Sequence, residues 1–351
     1  MSKSDEERAR ATRLASERQQ ELTKPKGSLG RLESLTLQLA AIQRNAIPRA
    51  RPAAALIFAA DHPVTAHGVS AYPQEVTRAM LANLARGGAA ATVLARSLGV
   101  PLSVLDVGVA GAPLCEGIVD RHPVADQPRF DLRHEDAMSA ATLELALRAG
   151  EEAVAHLDSE LRVVLLGEIG IGNTTPAAAL AAALLDREPA ELVGPGTGLD
   201  AAGLGRKIDV VADALARIRA QGPAGPLDLL RRLGGPEIAA LVGAIRRAHE
   251  QEVAVLVDGY TVSVAALLAT RIDPSLREHL VFSHRSAEPG HLAVLDSLEA
   301  EPLLDLGMRL GEATGALAAF HLVELACRLH DEMATFAETS VPTALPRPES
   351  K

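Results

Sequence analysis

Leu161-Arg-Val-Val-Leu-Leu-Gly-Glu-Ile-Gly-Ile-Gly-Asn-Thr-Thr-Pro176 runs from an apolar stretch through a glycine turn into a helix start. Leu161–Gly167 predicts a buried strand, and Thr174, Thr175 and Pro176 stand where a helix is capped and begun. Amides exposed at Gly170 and Gly172, ahead of a helix N-terminus, suit an anion such as a phosphate. The spacing matches neither the dinucleotide fingerprint nor the phosphate loop that ends in Gly-Lys-Ser/Thr.

The same order of apolar run, polar or glycine exit and helix recurs along the chain. Ala54–Ala60 ends in Asp61-His62-Pro63, and the run Pro101–Val109 carries Asp106. Val253–Val257 ends in Asp258-Gly259, and the run starting at Leu280 exits through Ser283–Ser286. Helical patterning fills the intervals at about 75–86, 89–98, 138–157, 203–219, 235–250 and 261–269, while 111–136 reads as a surface excursion. Continuous apolar strands alternating with helices predict an α/β fold: a Rossmann-like parallel sheet with helices on both faces. The five exits then gather at the carboxyl edge of the sheet, where such folds bind ligands. The N- and C-terminal segments fit this scheme poorly and form a small helical domain. The expected division is a large domain over 51–294, a small one from 1–50 with 295–340, and a disordered tail over 341–351.

Composition narrows the function. Hydrophobic residues are 48% of the 351, yet aromatics are only 2% and Trp is absent, which argues against an aromatic stacking platform for nucleic acid. A net charge of −10 opposes a phosphate-backbone partner. Two cysteines, Cys115 and Cys327, make no disulfide framework and suit a reducing cytoplasm. Met1–Lys24 lacks an apolar signal core, and apolar runs such as Ala177–Leu185 fall short of the roughly 20 residues of a membrane span. Asp61, His62 and His67 match no strong metal spacing.

Several residues admit two readings from chemistry alone. Lys24 and Lys26 sit in a Pro- and Gly-broken turn before a helix that Ser28 could cap, and either meet an anion or are solvated. A second glycine loop, Val193–Asp200, precedes the helix carrying Lys207. A cation in the first turns of a helix is disfavoured by the dipole, which a bound phosphate would offset; a snorkelling surface lysine is the other reading. Near the C-terminus Leu306-Gly-Met-Arg-Leu-Gly-Glu-Ala-Thr-Gly315 repeats glycine every four residues, so on a helix Gly307, Gly311 and Gly315 form one bare stripe. Glu312 inside it is either a partly buried general base or a solvated acid at a helix entry.

Taken together, Lys24–Glu33, Ala59–His62 with Pro73–Thr77, Gly167–Thr175, Val257–Gly259, Ser283–His291 and Gly307–Gly315 resemble, in order, the nicotinate-nucleotide:dimethylbenzimidazole phosphoribosyltransferases. The resemblance covers about residues 20–335. It implies transfer of phosphoribose from nicotinate mononucleotide to 5,6-dimethylbenzimidazole, giving α-ribazole 5′-phosphate and nicotinate for the lower nucleotide loop of cobalamin. It further implies a homodimer, no cofactor and no metal, because the pyridinium of the donor is already an activated leaving group. By the same resemblance Glu312 is the general base, with Leu310, Gly311, Tyr72 and Met80 around the acceptor ring. Gly170, Gly196, Lys207, Ser286 and Gly259 would hold the phosphate, and Glu168 would orient the ribose or the ring. Attack opposite the leaving group inverts C1′. The rival readings are another acceptor (adenine, another benzimidazole or a phenol), a non-catalytic nucleotide-binding protein of this fold, and a nicotinamide-cofactor dehydrogenase, which the missing dinucleotide fingerprint disfavours.

Overall fold

Eight consecutive buried residues, Ala53–Ala60, form the central strand, whose neighbours on both sides run parallel to it. The structure is a computed structural model, and it describes residues 3–342. Elements follow in the order α1 (Lys3–Glu21), α2 (Arg31–Gln43), β1 (Ala53–Ala60), α3 (Glu75–Ala85), α4 (Ala90–Leu98), β2 (Leu102–Gly108), β3 (Val119–Arg121), α5 (Ala140–Ala155), β4 (Val163–Ile169) and α6 (Thr174–Leu185). They continue with α7 (Pro189–Leu192), α8 (Ala201–Ala220), α9 (Pro226–Leu233), α10 (Pro236–Glu250), β5 (Ala254–Val257), α11 (Tyr260–Ile272), β6 (Leu280–Phe282), α12 (Gly290–Ser297) and α13 (Thr314–Glu332).

The six strands are all parallel, in the order β3-β2-β1-β4-β5-β6. This is the doubly wound Rossmann-like order, and its reversal point lies between β1 and β4, where a crevice opens beyond the strand ends. A core almost without rings is closed by small residues. Gly150 on α5 and Gly243 on α10 each face the other helix's backbone with no room for a side chain. Helix α6 is apolar all round and buried along most of its length, as a helix enclosed by neighbours must be.

The described chain forms two compact units, residues 53–320 and residues 3–52 with 321–342. The segment 295–320, expected in the helical unit, belongs with the sheet unit: Arg285 and Ala287 donate their amides to Leu304 O and Met308 O at 2.8 and 2.9 Å, tying it beyond β6. In the helical unit, Arg18 on α1 donates to the carbonyls of His330 and Asp331 at 2.7 Å, satisfying two groups near the C-terminus of α13. Lys24 is buried in an ion pair with Glu33 at 2.8 Å, so it is neither solvated nor free for an anion. Gly30, not Ser28, occupies the N-cap of α2. Of the expected tail 341–351, residues 343–351 lie outside the described residues.

Two further expectations are corrected. The excursion 111–136 contributes the edge strand β3, and Val119, Val124 and Leu132 from it are buried. The glycine repeat at 307, 311 and 315 is no helical stripe. Gly307 and Gly311 have φ of 65° and 86°, and α13 begins only at Thr314. Glu312 and Ala313 follow in the left-handed region as well, at φ 59° and 58°, strained backbone of the kind that persists only where surroundings enforce it.

Candidate active site

That enforcement comes from the sheet. The Glu312 amide donates to Glu168 O at 3.0 Å, extending the end of β4 into the 306–313 loop. Gly167 on β4 leaves no space for a Cβ, because Ala313 rests directly on it. On the far side, buried Asp258 at the end of β5 accepts from the Ala316 amide at 3.0 Å and from the Gly315 and Gly259 amides, capping α13. Glu312 is thus held between two anchors, one on each of two adjacent strands.

The Glu312 carboxyl is buried, and the amide of Ala91 in the first turn of α4 donates to it, while Oε2 has no partner among the described residues. Burial raises its pKa above the ordinary carboxylate value, the charge of Asp258 adds to this, and the Ala91 amide opposes it. The solvated reading of Glu312 is therefore overturned. A carboxylate with one oxygen held and the other free can accept a proton.

Glu168 at the end of β4 is also buried, and its Oε2 accepts a short hydrogen bond from Asn173 Nδ2. Burial, then the charges of Asp258, Glu237 and Glu312, push its pKa up to about 8 against the pull of Asn173. At neutral pH it is mostly a neutral carboxyl beside the ionisable Glu312.

Both acids line one cavity of about 490 Å³ in the sheet unit, and so do Tyr72, Met80, Leu310, Gly311, Gly170, Gly196, Gly259 and Ser286. Tyr72 and Leu310 are exposed at 55% and 59%, leaving an apolar rim. Three loops meet over the opening. Ser70 Oγ and the Ala71 amide lie 3.1 and 2.9 Å from Thr197 Oγ1, and Arg309 Nη1 donates to Gly196 O at 2.7 Å. The Ser286 amide donates at 2.8 Å to Nδ1 of His291, a ring kept neutral because burial lowers its pKa to about 3.

Lys207 departs from both readings made of it. Its side chain is fully buried, and its ammonium donates to Thr174 Oγ1 at 2.7 Å and Gly194 O at 3.0 Å, beneath the cavity wall rather than on it. Burial lowers its pKa to about 8, and Glu288 partly restores it. A Cβ at Gly196 would meet Thr174 Oγ1 at 2.9 Å and Lys207 Nζ at 3.2 Å, so a bare backbone is needed where the helix start and the ammonium converge.

Only three of the five strand exits reach the cavity. Asp106 instead accepts from the Gly108 and Val109 amides and from Arg121, and Asp61 accepts from the Ala110 amide at 2.8 Å. His62 pairs with buried Glu237 at 2.9 Å, while His67 pairs with Asp131 at 2.5 Å. Asp61, His62 and His67 therefore do not converge on an ion. His67, Asp131 and His134 do bring three ligand atoms within 4.8 Å of one another, but the Arg133 guanidinium stands 3.3 Å from His67 Nδ1 and opposes a cation there. Asn173, His284, Glu288 and Arg309 line the cavity and were missed as site residues, although each lies inside or beside a motif already singled out. Polarity at or just beyond the strand exits was the available signal for Asn173, His284 and Glu288, while Arg309 lies in the loop before α13.

A phosphoribosyltransferase family profile matches residues 5–341. A relative from Azotobacter vinelandii, named nicotinate-nucleotide–dimethylbenzimidazole phosphoribosyltransferase, is 52% identical over 337 residues, 95% of each chain. The chain belongs to the nicotinate-nucleotide–dimethylbenzimidazole phosphoribosyltransferase family. A Bradyrhizobium member of that name is 51% identical over 92% of each chain. The crystal structure of CobT from Thermus thermophilus is similar with a TM-score of 0.91 at 42% identity, covering 95% of this chain and all of that one. Family membership accords with a fold of six parallel strands whose crevice opens at the β1/β4 reversal.

Proposed function

We propose that the protein transfers phosphoribose from nicotinate mononucleotide to 5,6-dimethylbenzimidazole, with Glu312 as the general base. The C1′–N bond to the pyridinium breaks with its electron pair leaving on nicotinate. One ring nitrogen of the acceptor forms the new C1′–N bond as the other gives its proton to Glu312. Attack from the face opposite the leaving group inverts a β- to an α-riboside. Tyr72, Met80, Leu310 and Gly311 form the acceptor side. Gly170, Gly196, Gly259 and Ser286 hold the phosphate, with Lys207 supplying positive charge from beneath Gly196. Glu168, mostly neutral at pH 7, donates to the ribose or ring.

The observation that carries this reading is the free Oε2 of a buried, anchored Glu312 in a cavity with an apolar rim. Glu312→Gln keeps the shape and removes the base. Turnover should fall by ~10²–10⁴-fold, the range of general-base catalysis, with calorimetric affinity for nicotinate mononucleotide retained. Unchanged turnover removes Glu312 from this role, and a preference for adenine or a phenol over dimethylbenzimidazole overturns the acceptor. We further infer a homodimer in a reducing cytoplasm, consistent with two free thiols, and light scattering at the mass of one chain would contradict the dimer. No helix among the described residues is long and apolar enough to cross a membrane.

A further inference from the structure

The cavity has a sign problem. Glu168, Glu288 and Glu312 all line it, yet the donor proposed above brings a phosphate and a carboxylate. Lys207 does not face this space, since its ammonium is committed to Thr174 and Gly194 below the wall. Among the described residues, Arg309 is the one arginine or lysine in the lining.

Its place is fixed from two sides. Met308 O, one residue before it, accepts from the Ala287 amide at 2.9 Å, next to Ser286. Its own Nη1 donates to Gly196 O at 2.7 Å. Met308 and Arg309 together therefore bridge the Gly196 loop and the Ser286 segment, the two segments assigned above to the donor phosphate. A guanidinium offers five N–H donors in a planar fork, and a phosphate is the partner that fork matches best. Arg309 also stands three residues before Glu312, on the same loop, so a grip on the donor at one end of the loop bears on the base at the other.

We propose that Arg309 binds the donor's 5′-phosphate and fixes the 306–312 loop, with its base, against the occupied donor site. The assignment rests on the phosphoribosyl-transfer reading given above and adds a residue that holds substrate and positions Glu312.

The test compares nicotinate mononucleotide with nicotinate riboside, which lacks the phosphate, as donors to dimethylbenzimidazole. With wild-type enzyme the nucleotide should be strongly preferred. In Arg309→Met, kcat/KM for the nucleotide should fall about 10- to 100-fold further than that for the riboside, the worth of one charge-assisted hydrogen bond. Arg309→Lys should recover part of the loss, and inorganic phosphate should inhibit Arg309→Met more weakly than wild type. Equal losses with both donors, or full phosphate preference in Arg309→Met, overturn the assignment. A narrowed preference for nicotinate over nicotinamide mononucleotide, with phosphate preference intact, also overturns it, because the fork would then serve the ring carboxylate. A wild-type enzyme indifferent to the phosphate would instead remove the donor reading beneath the assignment. Thermal melting of both variants verifies that each is folded, and the wild-type comparison and phosphate inhibition stand without either.

Discussion

Replacing Glu168 by Gln should stabilise the protein increasingly as pH rises. In an exposed chain this carboxyl titrates near 4.5, and in the fold it is pushed up to about 8. The folded state therefore binds the proton more tightly, and stability from this group is fully present below 4.5 and lost as pH climbs to 8. Between those limits the wild type loses up to ~1.4 kcal/mol of unfolding free energy per pH unit from this side chain, because one proton is released on unfolding. Glutamine does not titrate and can still meet Asn173 through its amide. Urea unfolding of both proteins at about pH 5.5, 6.5 and 7.5 should show the difference, variant minus wild type, growing by roughly 2–3 kcal/mol across the series. Its absolute value at the lowest pH is not decisive, since the neutral acid and the amide differ in their bonds to Asn173. A difference constant to within about 0.5 kcal/mol would refute the burial-and-repulsion account of Glu168.

Glu312 gives a kinetic counterpart. Its raised pKa places the acid limb of kcat/KM above the ordinary carboxylate range, so activity should fall as pH drops through that value, and Glu312→Gln should lack this limb in a pH–rate profile. Gly311→Ala introduces a Cβ 3.0 Å from Glu168 Oε1 at a φ of 86°. It should cost about 1–2 kcal/mol in chemical unfolding and raise KM for dimethylbenzimidazole more than for the nucleotide; an unchanged acceptor KM would count against the loop placement.

Most of the sheet was legible because β1, β4, β5 and β6 are buried almost throughout and read as apolar runs with a polar residue where each one surfaces. β3 was not legible. It pairs through three residues of mixed polarity whose burial comes from β2 and the loop that follows. The 306–313 loop was misread for a different reason. The helical register beyond Ala316 is real, but two tertiary anchors, Glu168 O and Asp258, stop the helix at Thr314 and hold Gly311, Glu312 and Ala313 in left-handed shapes that no local pattern encodes. Lys207 shows the same limit at one side chain. Its place in the first turns of a helix left a ligand and a snorkelling lysine both open, and only the arrival of Thr174 and Gly194 decides that the ammonium points inward.

The two ends of the cavity are written in different alphabets. At the end lined by Gly170, Gly172 and Gly196 the wall is largely glycine backbone, so most substitutions there disturb the chain path itself. At the opposite rim the contacts belong to Tyr72, Met80 and Leu310, side chains that reach the opening rather than the core. Mutations are thus tolerated unequally across a few ångströms. On the reading proposed above, single exchanges at the rim can alter the choice of acceptor with the fold intact, whereas along the glycine wall Arg309 is the exception, a side chain that can be exchanged without disturbing the backbone.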